Sequence, residues 1–563
     1  MDAQKTPGNE EQAPNVAEVI VRSLEQEGVE YIFGIPGEEN LDLMQALKDS
    51  SIKVITTRHE QGAAFMADVY GRLTGNAGVC FATLGPGATN LITGVADANS
   101  DGAPLVAITA QVGTERLHST THQYLDLNHL FQPITKRTKL IVHPDTATEA
   151  VRIAFKYAES EKPGATNITL PPNIAAMEVT NKSAQLPMKP AETSRRRAAR
   201  ERIDEAVRLI NKSKNPVILA GHSAVRAQAS KELTLVAEEL GIPVINTMMA
   251  KGIIPRSSPQ HIGTVGILPH KDYSNKILNN SDCIISVGYD IVELAPSKWN
   301  LPDPERTIIH IDTQPAHINH NYRADVQVVG DISDSLLQLY RRCKVKDEQT
   351  YAMNLKQKWR EEYASYINDT SWPPKPQKIL ADVRRVMGED DILISDVGAH
   401  KMWIGRQYEC YKPNTCIISN GFATMGIGVP GALSAKLINP QKKVLTITGD
   451  GGFMMNNQEL ETAKRVGTPF VTMIWTDASY GLIKWHQENR FDEHCFVDFE
   501  NPDFVMMAES MGCKGYRIEK TEDIIPVLEE AFKQDVPVVI ECPVDYRENT
   551  KHTKRLIKEF DNL

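Results

Sequence analysis

Two aspartates and a glutamate are the residues in this chain whose types and spacing point most directly to chemistry. The run Val444-Leu-Thr-Ile-Thr-Gly-Asp-Gly-Gly-Phe453 reads as a β-branched strand that ends in Gly449-Asp450-Gly451-Gly452, with a helical run following over Asn457–Val466. The next apolar run, Pro469–Thr476, ends in Asp477-Ala-Ser-Tyr-Gly481. One strand–helix–strand excursion spans the interval between Asp450 and Asp477. Both acids therefore fall just past strand carboxyl ends, the edge at which open α/β sheets bind ligands. Two converging carboxylates suit a hard cation, and Mg²⁺ takes few protein ligands, leaving positions for phosphate oxygens and water. The glycines and the helix N-terminus supply N–H donors for a phosphate group. Gly-Asp-Gly alone reads equally well as a helix cap; the second acid at this spacing turns the reading toward a metal-held phosphate.

The glutamate is Glu60, in Arg58-His59-Glu60, between the strand-like Val54–Thr57 and the helical stretch Gln61–Leu73. By itself it is an ordinary acid opening a helix. Paired with a metal–phosphate site it becomes a candidate for acid–base work, which needs hydrogen-bond reach and a low dielectric. Gly85-Pro86-Gly87-Ala88-Thr89-Asn90 reads as a tight turn entering another helix.

Three segments of βα texture must position these residues, which predicts an α/β protein of three doubly wound parallel-sheet domains. We place the domains at residues 15–185, 200–345 and 375–548. Strands are expected at Tyr31–Ile35, Val54–Thr57, Val79–Thr83 and Leu105–Thr109 in the first. Pro216–Ala220, Pro243–Thr247, Cys283–Gly288 and Thr307–Ile311 follow in the second. Ile392–Ser395 joins the two metal-site strands in the third. Arg195, Arg196, Arg197 and Arg200 read as the solvated start of a helix, and Trp372-Pro-Pro-Lys-Pro-Gln377 as a linker.

Bulk properties exclude several classes. A net charge of −10 over 563 residues argues against a nucleic-acid binder, which would carry a basic face. The eight cysteines form no C-x-x-C pair and read as reduced thiols of a cytoplasmic protein. The stretch Met1–Pro14 is polar and acidic, unlike a signal peptide, and no apolar run approaches membrane-spanning length.

With these motifs in view, the chain resembles the pyruvate oxidase/acetolactate synthase branch of thiamine diphosphate enzymes, specifically its catabolic, FAD-independent type. The likeness runs from about Ala17 to Asn549. It includes His122-Gln123, Leu130–Lys136, Gly288-Tyr-Asp290, Ser297–Asn300, Arg306–Asp312 and Val544-Asp-Tyr546. The resemblance implies that Asp450, Asp477 and the main-chain carbonyl of Ser479 bind Mg²⁺. Many members carry Asn where Asp477 stands; the catabolic enzymes also use Asp. It implies further that Glu60 shares a proton with N1′ of the cofactor's aminopyrimidine. Cofactor contacts are implied for Pro36, Gly85, Asn90, Val397, Gly398, Ala399, His400, Gly421, Thr424, Met425, Gly449, Gly451, Gly452, Tyr480, Gly481 and Leu482. Met425 falls where the family sets an apolar residue under the bent cofactor, although a Met in a helical apolar context is usually core.

The implied reaction decarboxylates one pyruvate and joins the remaining two-carbon unit to a second, giving 2-acetolactate and CO₂. The alternatives are another 2-oxo acid decarboxylase or carboligase, and a flavin-linked oxidase. Gln123, Phe131, Lys136, Ile483, His486 and Gln487 are implied to line the substrate pocket. A Gln after a His is otherwise a surface residue, and a Phe is more often core. At His486 the catabolic members carry Gln and the anabolic ones Trp, so His either exchanges a proton with the acceptor or merely changes the pocket's size. Because Gly288-Tyr-Asp290 replaces the Arg-containing loop of anabolic members, FAD is not expected to be required. Family members build each site between two chains, which implies a homodimer or homotetramer.

Overall fold

Runs rich in Val and Ile become strands with both faces covered, as a parallel sheet between helices requires. The computed structural model describes residues 13–190, 196–267, 272–301, 303–551 and 553–554. Met1–Gln12 and Arg195 of the sequence reading lie outside them.

The first sheet contains β1 (Tyr31–Gly34), β2 (Lys53–Thr56), β3 (Gly78–Ala82), β4 (Leu105–Ala110), β5 (Arg137–Leu140) and β6 (Ala165–Leu170), ordered β2-β1-β3-β4-β6-β5. The second contains β7 (Pro216–Ala220), β8 (Val244–Asn246), β9 (His261–Thr264), β10 (Cys283–Val287), β11 (Thr307–Asp312) and β12 (Val326–Val329), ordered β12-β11-β10-β7-β8-β9. The third contains β13 (Ile392–Ser395), β14 (Cys416–Ile418), β15 (Val444–Gly449), β16 (Val471–Thr476), β17 (Lys514–Arg517) and β18 (Val538–Pro543), ordered β14-β13-β15-β16-β18-β17. All ladders between named strands are parallel. The first and third sheets repeat one strand order, so the coarse repetition in the sequence is a repetition of topology.

In each sheet the chain reverses its direction of growth between two strands, leaving a crevice at their carboxyl ends. These strands are β1 and β3, β7 and β10, and β13 and β15. Glu60 and the Gly85 turn follow β2 and β3, while the Val397 loop and Asp450 follow β13 and β15.

The helix Glu60–Thr74 begins one residue earlier than expected, capped by His59, whose Nδ1 accepts the N–H of Gln61. Two corrections concern the third domain. A helix opens at Asp450 itself (Asp450–Asn456), and a second covers Glu459–Arg465, where the sequence suggested one helix from Asn457. Met425 lies in an irregular turn, with positive φ at Ala423 and Gly426, not in a helix. The first and third domains pack directly together: Ser434 of helix Gly428–Ile438 donates its hydroxyl to the Met66 carbonyl at 2.8 Å. Among the described residues no helix is long and apolar enough to cross a membrane.

Candidate active site

Asp450 is 1% exposed, and its two carboxylate oxygens are held differently. Oδ1 accepts the N–H of Gly451 at 2.9 Å. Oδ2 accepts the N–H of Asp477 at 3.1 Å, the N–H of Ala478 at 2.7 Å and the Asn501 side-chain amide at 2.8 Å. Asp450 thus ties the tip of β15 to the tip of β16. Ala478 has φ +53°, which turns the backbone back after Asp477. The Asp477 carboxyl is pushed up to about 8, first by burial and then by Asp450 beside it. A cation at this point would relieve that penalty.

The donors for an anion lie close by. Gly449 caps the helix Asp450–Asn456, and a Cβ on Gly451 would lie 2.7 Å from the Tyr480 ring. Tyr480 stacks edge-on against Phe499 with centroids 5.1 Å apart. Gly481 opens the next helix, Gly481–Phe491, and its N–H donates to the Ser479 carbonyl at 2.9 Å.

The loop after β13 completes this end. His400 is buried beside Gly449, and a Cβ there would sit 3.5 Å from His400 Nδ1. Burial lowers the imidazole to about 3, so it is neutral near pH 7, and its buried Nε2 has no partner among the described residues. A buried ring nitrogen left this way needs a ligand, and a phosphate group at the neighbouring helix N-terminus would provide one. Among the described residues no group of three or more His, Cys, Asp or Glu side chains is arranged to hold a metal ion by itself. The two acids with main-chain oxygen therefore fit a magnesium-type ion, which keeps much of its shell for ligand oxygens.

Asp396 holds the loop after β13 and the Met425 turn together. It takes the N–H groups of Val397 (2.6 Å) and Gly426 (2.9 Å) on Oδ1, and that of Gly428 (3.0 Å) on Oδ2. The sequence reading gave it no contact of its own, although it directly precedes Val397, Gly398, Ala399 and His400. Asn501 was missed as well, because a loop Asn far along the chain carries no local signal. Thr424 is nearly buried, while Gly421, Met425 and Leu482 are partly exposed.

In the first domain, Glu60 is 7% exposed and accepts the Asn90 side-chain amide at 2.9 Å. Glu459, a third-domain residue with no exposure, accepts the N–H groups of Arg58 and His59, each at 3.0 Å, and so anchors the start of the Glu60 helix. Gly85 has φ +53°, and a Cβ there would strike the Gln123 carbonyl at 2.7 Å. Gln123 is thereby brought to the Gly85 turn, with Pro36 exposed beyond β1.

The remaining substrate-pocket residues are scattered. Phe131 is wholly enclosed in the core. The ammonium of Lys136 is spent on the carbonyls of Ser160 (2.7 Å) and Lys162 (2.6 Å). Gln487 bonds locally with Cys495, and Ile483 and His486 are exposed on helix Gly481–Phe491.

These three sheets, with an acid pair at the third and a buried glutamate at the first, define the architecture of thiamine pyrophosphate enzymes. Models of that group's N-terminal TPP binding domain, central domain and C-terminal TPP binding domain match residues 14–139, 203–339 and 396–542. The acetolactate synthase of Bacillus subtilis (strain 168) is 35% identical, over 97% of this chain and 96% of that protein. The catabolic acetolactate synthase of Raoultella terrigena is 34% identical, over 96% and 97%. A probable acetolactate synthase large subunit of Methanocaldococcus jannaschii is 36% identical, over 94% and 92%. The chain belongs to the acetolactate synthase family of thiamine pyrophosphate enzymes.

Proposed function

We propose that this protein decarboxylates pyruvate and condenses the remaining two-carbon unit with a second pyruvate to form 2-acetolactate. The observation that carries the proposal is Asp450 bonded to the backbone of Asp477 at adjoining strand tips, beside the buried His400 Nε2, which has no partner among the described residues. Asp450, Asp477 and the Ser479 carbonyl are proposed to hold Mg²⁺. Gly449, Gly451, Gly452 and the loop Val397–His400 would cradle the diphosphate, with Tyr480, Gly481 and Leu482 flanking it. Gly421, Thr424 and Met425, with Pro36, Gly85 and Asn90, would hold the pyrimidine end. Bound thiamine diphosphate supplies the electron sink for the pair released with CO₂. Glu60, kept in place by Asn90, would hold a proton at the pyrimidine ring nitrogen, where low exposure strengthens the bond.

We propose that the site is completed by a second copy of the chain, as a homodimer or homotetramer. Supporting this, Met454, Met455, Tyr480 and Ile483 near the proposed metal end and Phe422 in the segment proposed for the pyrimidine end are all exposed. An apolar lip of that kind marks an interface more often than a free surface. Gln123, Ile483, His486 and Gln487 are proposed to meet the 2-oxo acids there. All eight cysteines are unpaired, which fits a reducing cytoplasm.

The reaction is proposed to need no FAD. Glu293 fills the crevice between β7 and β10, where a dinucleotide phosphate would otherwise be received. Its carboxylate takes the N–H groups of His222 (3.0 Å) and Asp290 (3.1 Å) and the Thr247 hydroxyl (2.5 Å). Incubating the protein with pyruvate, thiamine diphosphate and Mg²⁺, with and without FAD, tests the whole reading. Acetolactate formed equally under both conditions is expected. Acetaldehyde as the product, or turnover that requires FAD and oxygen, would contradict it.

A further inference from the structure

The end of the Glu60 helix away from Glu60 carries a second arrangement of charges, sealed between the first and third domains. Arg72 sits among Asp68, Asp97 and Asp101; its side chain is 3% exposed and theirs 0%. The guanidinium reaches Asp68 at 2.7 and 3.0 Å, Asp97 Oδ2 at 2.8 Å and Asp101 Oδ2 at 2.8 Å. A buried guanidinium of this kind is kept charged by its carboxylates, and it fixes their orientation through its planar fork.

Asp97 and Asp101 also accept hydrogen bonds from the third domain. Asp97 Oδ1 accepts the hydroxyls of Ser419 (2.6 Å) and Thr424 (2.7 Å). Asp101 accepts the N–H of Asn420 on Oδ2 at 3.1 Å and that of Gly421 on Oδ1 at 2.6 Å. Gly421 permits this approach, since a Cβ there would lie 2.4 Å from Asp101 Oδ1. Lys401 closes the arrangement by donating to the Ser419 carbonyl at 3.0 Å. Residues 419–427 form neither helix nor strand, so their backbone is held by these side chains. On the far side of Met425, Asp396 grips Gly426 and Gly428. Met425 is thus suspended between carboxylates of two domains.

We propose that Asp97 and Asp101, oriented by Arg72, are positioning residues that set segment 419–425 against the pyrimidine end of the cofactor. The proposal rests on the reading that Gly421, Thr424 and Met425 hold that end. It gives the buried charges a task beyond joining domains: they fix the half of the site that recognises the heterocycle and leave the metal–diphosphate half alone.

The test compares two probes on the cofactor-depleted full-length enzyme in saturating Mg²⁺, thiamine diphosphate and inorganic pyrophosphate, by calorimetry. Asp97→Asn and Asp101→Asn should each weaken thiamine diphosphate binding about tenfold, the scale of one charge-assisted hydrogen bond, and leave pyrophosphate binding unchanged. Ser419→Ala removes the hydroxyl's bonds to Asp97 and to the Thr424 N–H without stranding a charge, and should weaken thiamine diphosphate alone, by about threefold. Unchanged thiamine diphosphate affinity in Ser419→Ala, or an equal loss for both probes in any folded variant, would overturn the proposal. If wild-type enzyme binds pyrophosphate and thiamine diphosphate equally well, the assignment of the pyrimidine end fails instead.

Discussion

Asp450 Oδ2 accepts the backbone N–H of Asp477 at 3.1 Å, so each acid of the proposed metal pair is positioned by the other's strand. The same oxygen binds Asn501, a residue from the loop beyond the following helix. An oxygen that takes three donors keeps its orientation, and among the described residues its partner Oδ1 is held by Gly451 alone.

Asn501→Ala removes one donor from Asp450 and leaves all three proposed ligands in place. Outer partners of metal ligands are worth about 10- to 100-fold in metal affinity. Mg²⁺ activation of acetolactate formation should therefore shift to higher concentration by that factor. The turnover rate at saturating Mg²⁺ should change much less.

Glu60→Gln keeps the size of the side chain and removes its acid–base function. Product formation should fall by about 10²- to 10⁴-fold, the usual range for general acid–base help. Thiamine diphosphate binding and the melting temperature should be nearly unchanged. Asn90→Ala frees Glu60 from its bond, and steady-state kinetics should show a smaller loss of kcat, about tenfold, with KM for pyruvate little altered.

How much of this was legible in the residues alone follows from how local each signal is. Strands β15 and β16 are continuous β-branched runs ending in acids, and their period and length fixed them as buried parallel strands. The start of the helix at Asp450 was hidden by Gly451 and Gly452, which read as breakers yet lie in its first turn, where close approach matters more than propensity. Met425 was misplaced in a helix because no local pattern marks a turn held by Asp97 through two hydroxyls and by Asp101 and Asp396 through backbone N–H groups. Glu459 and Glu293 escaped notice for the same reason: each is an unremarkable acid until folding sets its carboxylate against N–H groups distant in sequence.

The middle domain should carry a pH signature. Burial pushes the Glu293 carboxyl up to about 7 from an ordinary value near 4.5, against the hydrogen bonds from Thr247, His222 and Asp290. A raised folded-state value means that the native protein binds the proton more tightly than the unfolded chain. The associated stability is fully present below about pH 4.5, falls as pH rises and is gone above about pH 7, a swing of about 3 kcal/mol. Glu293→Gln should lessen the fall in melting temperature across that interval, as scanning calorimetry at a series of pH values would record. A wild-type melting temperature that rises steadily from pH 5 to 7, with the same slope in Glu293→Gln, would contradict the assignment.

The most direct test concerns Asp450 itself. Purified wild-type and Asp450→Ala proteins, stripped of cofactor, would be titrated with thiamine diphosphate in excess Mg²⁺ by calorimetry, with folding confirmed by circular dichroism. The account predicts that the folded variant loses at least about 100-fold in affinity and makes no detectable acetolactate, since it lacks the carboxylate that orders Asp477 and is proposed to bind the ion. A folded Asp450→Ala protein that retains the cofactor and turns over pyruvate at the wild-type rate would contradict it.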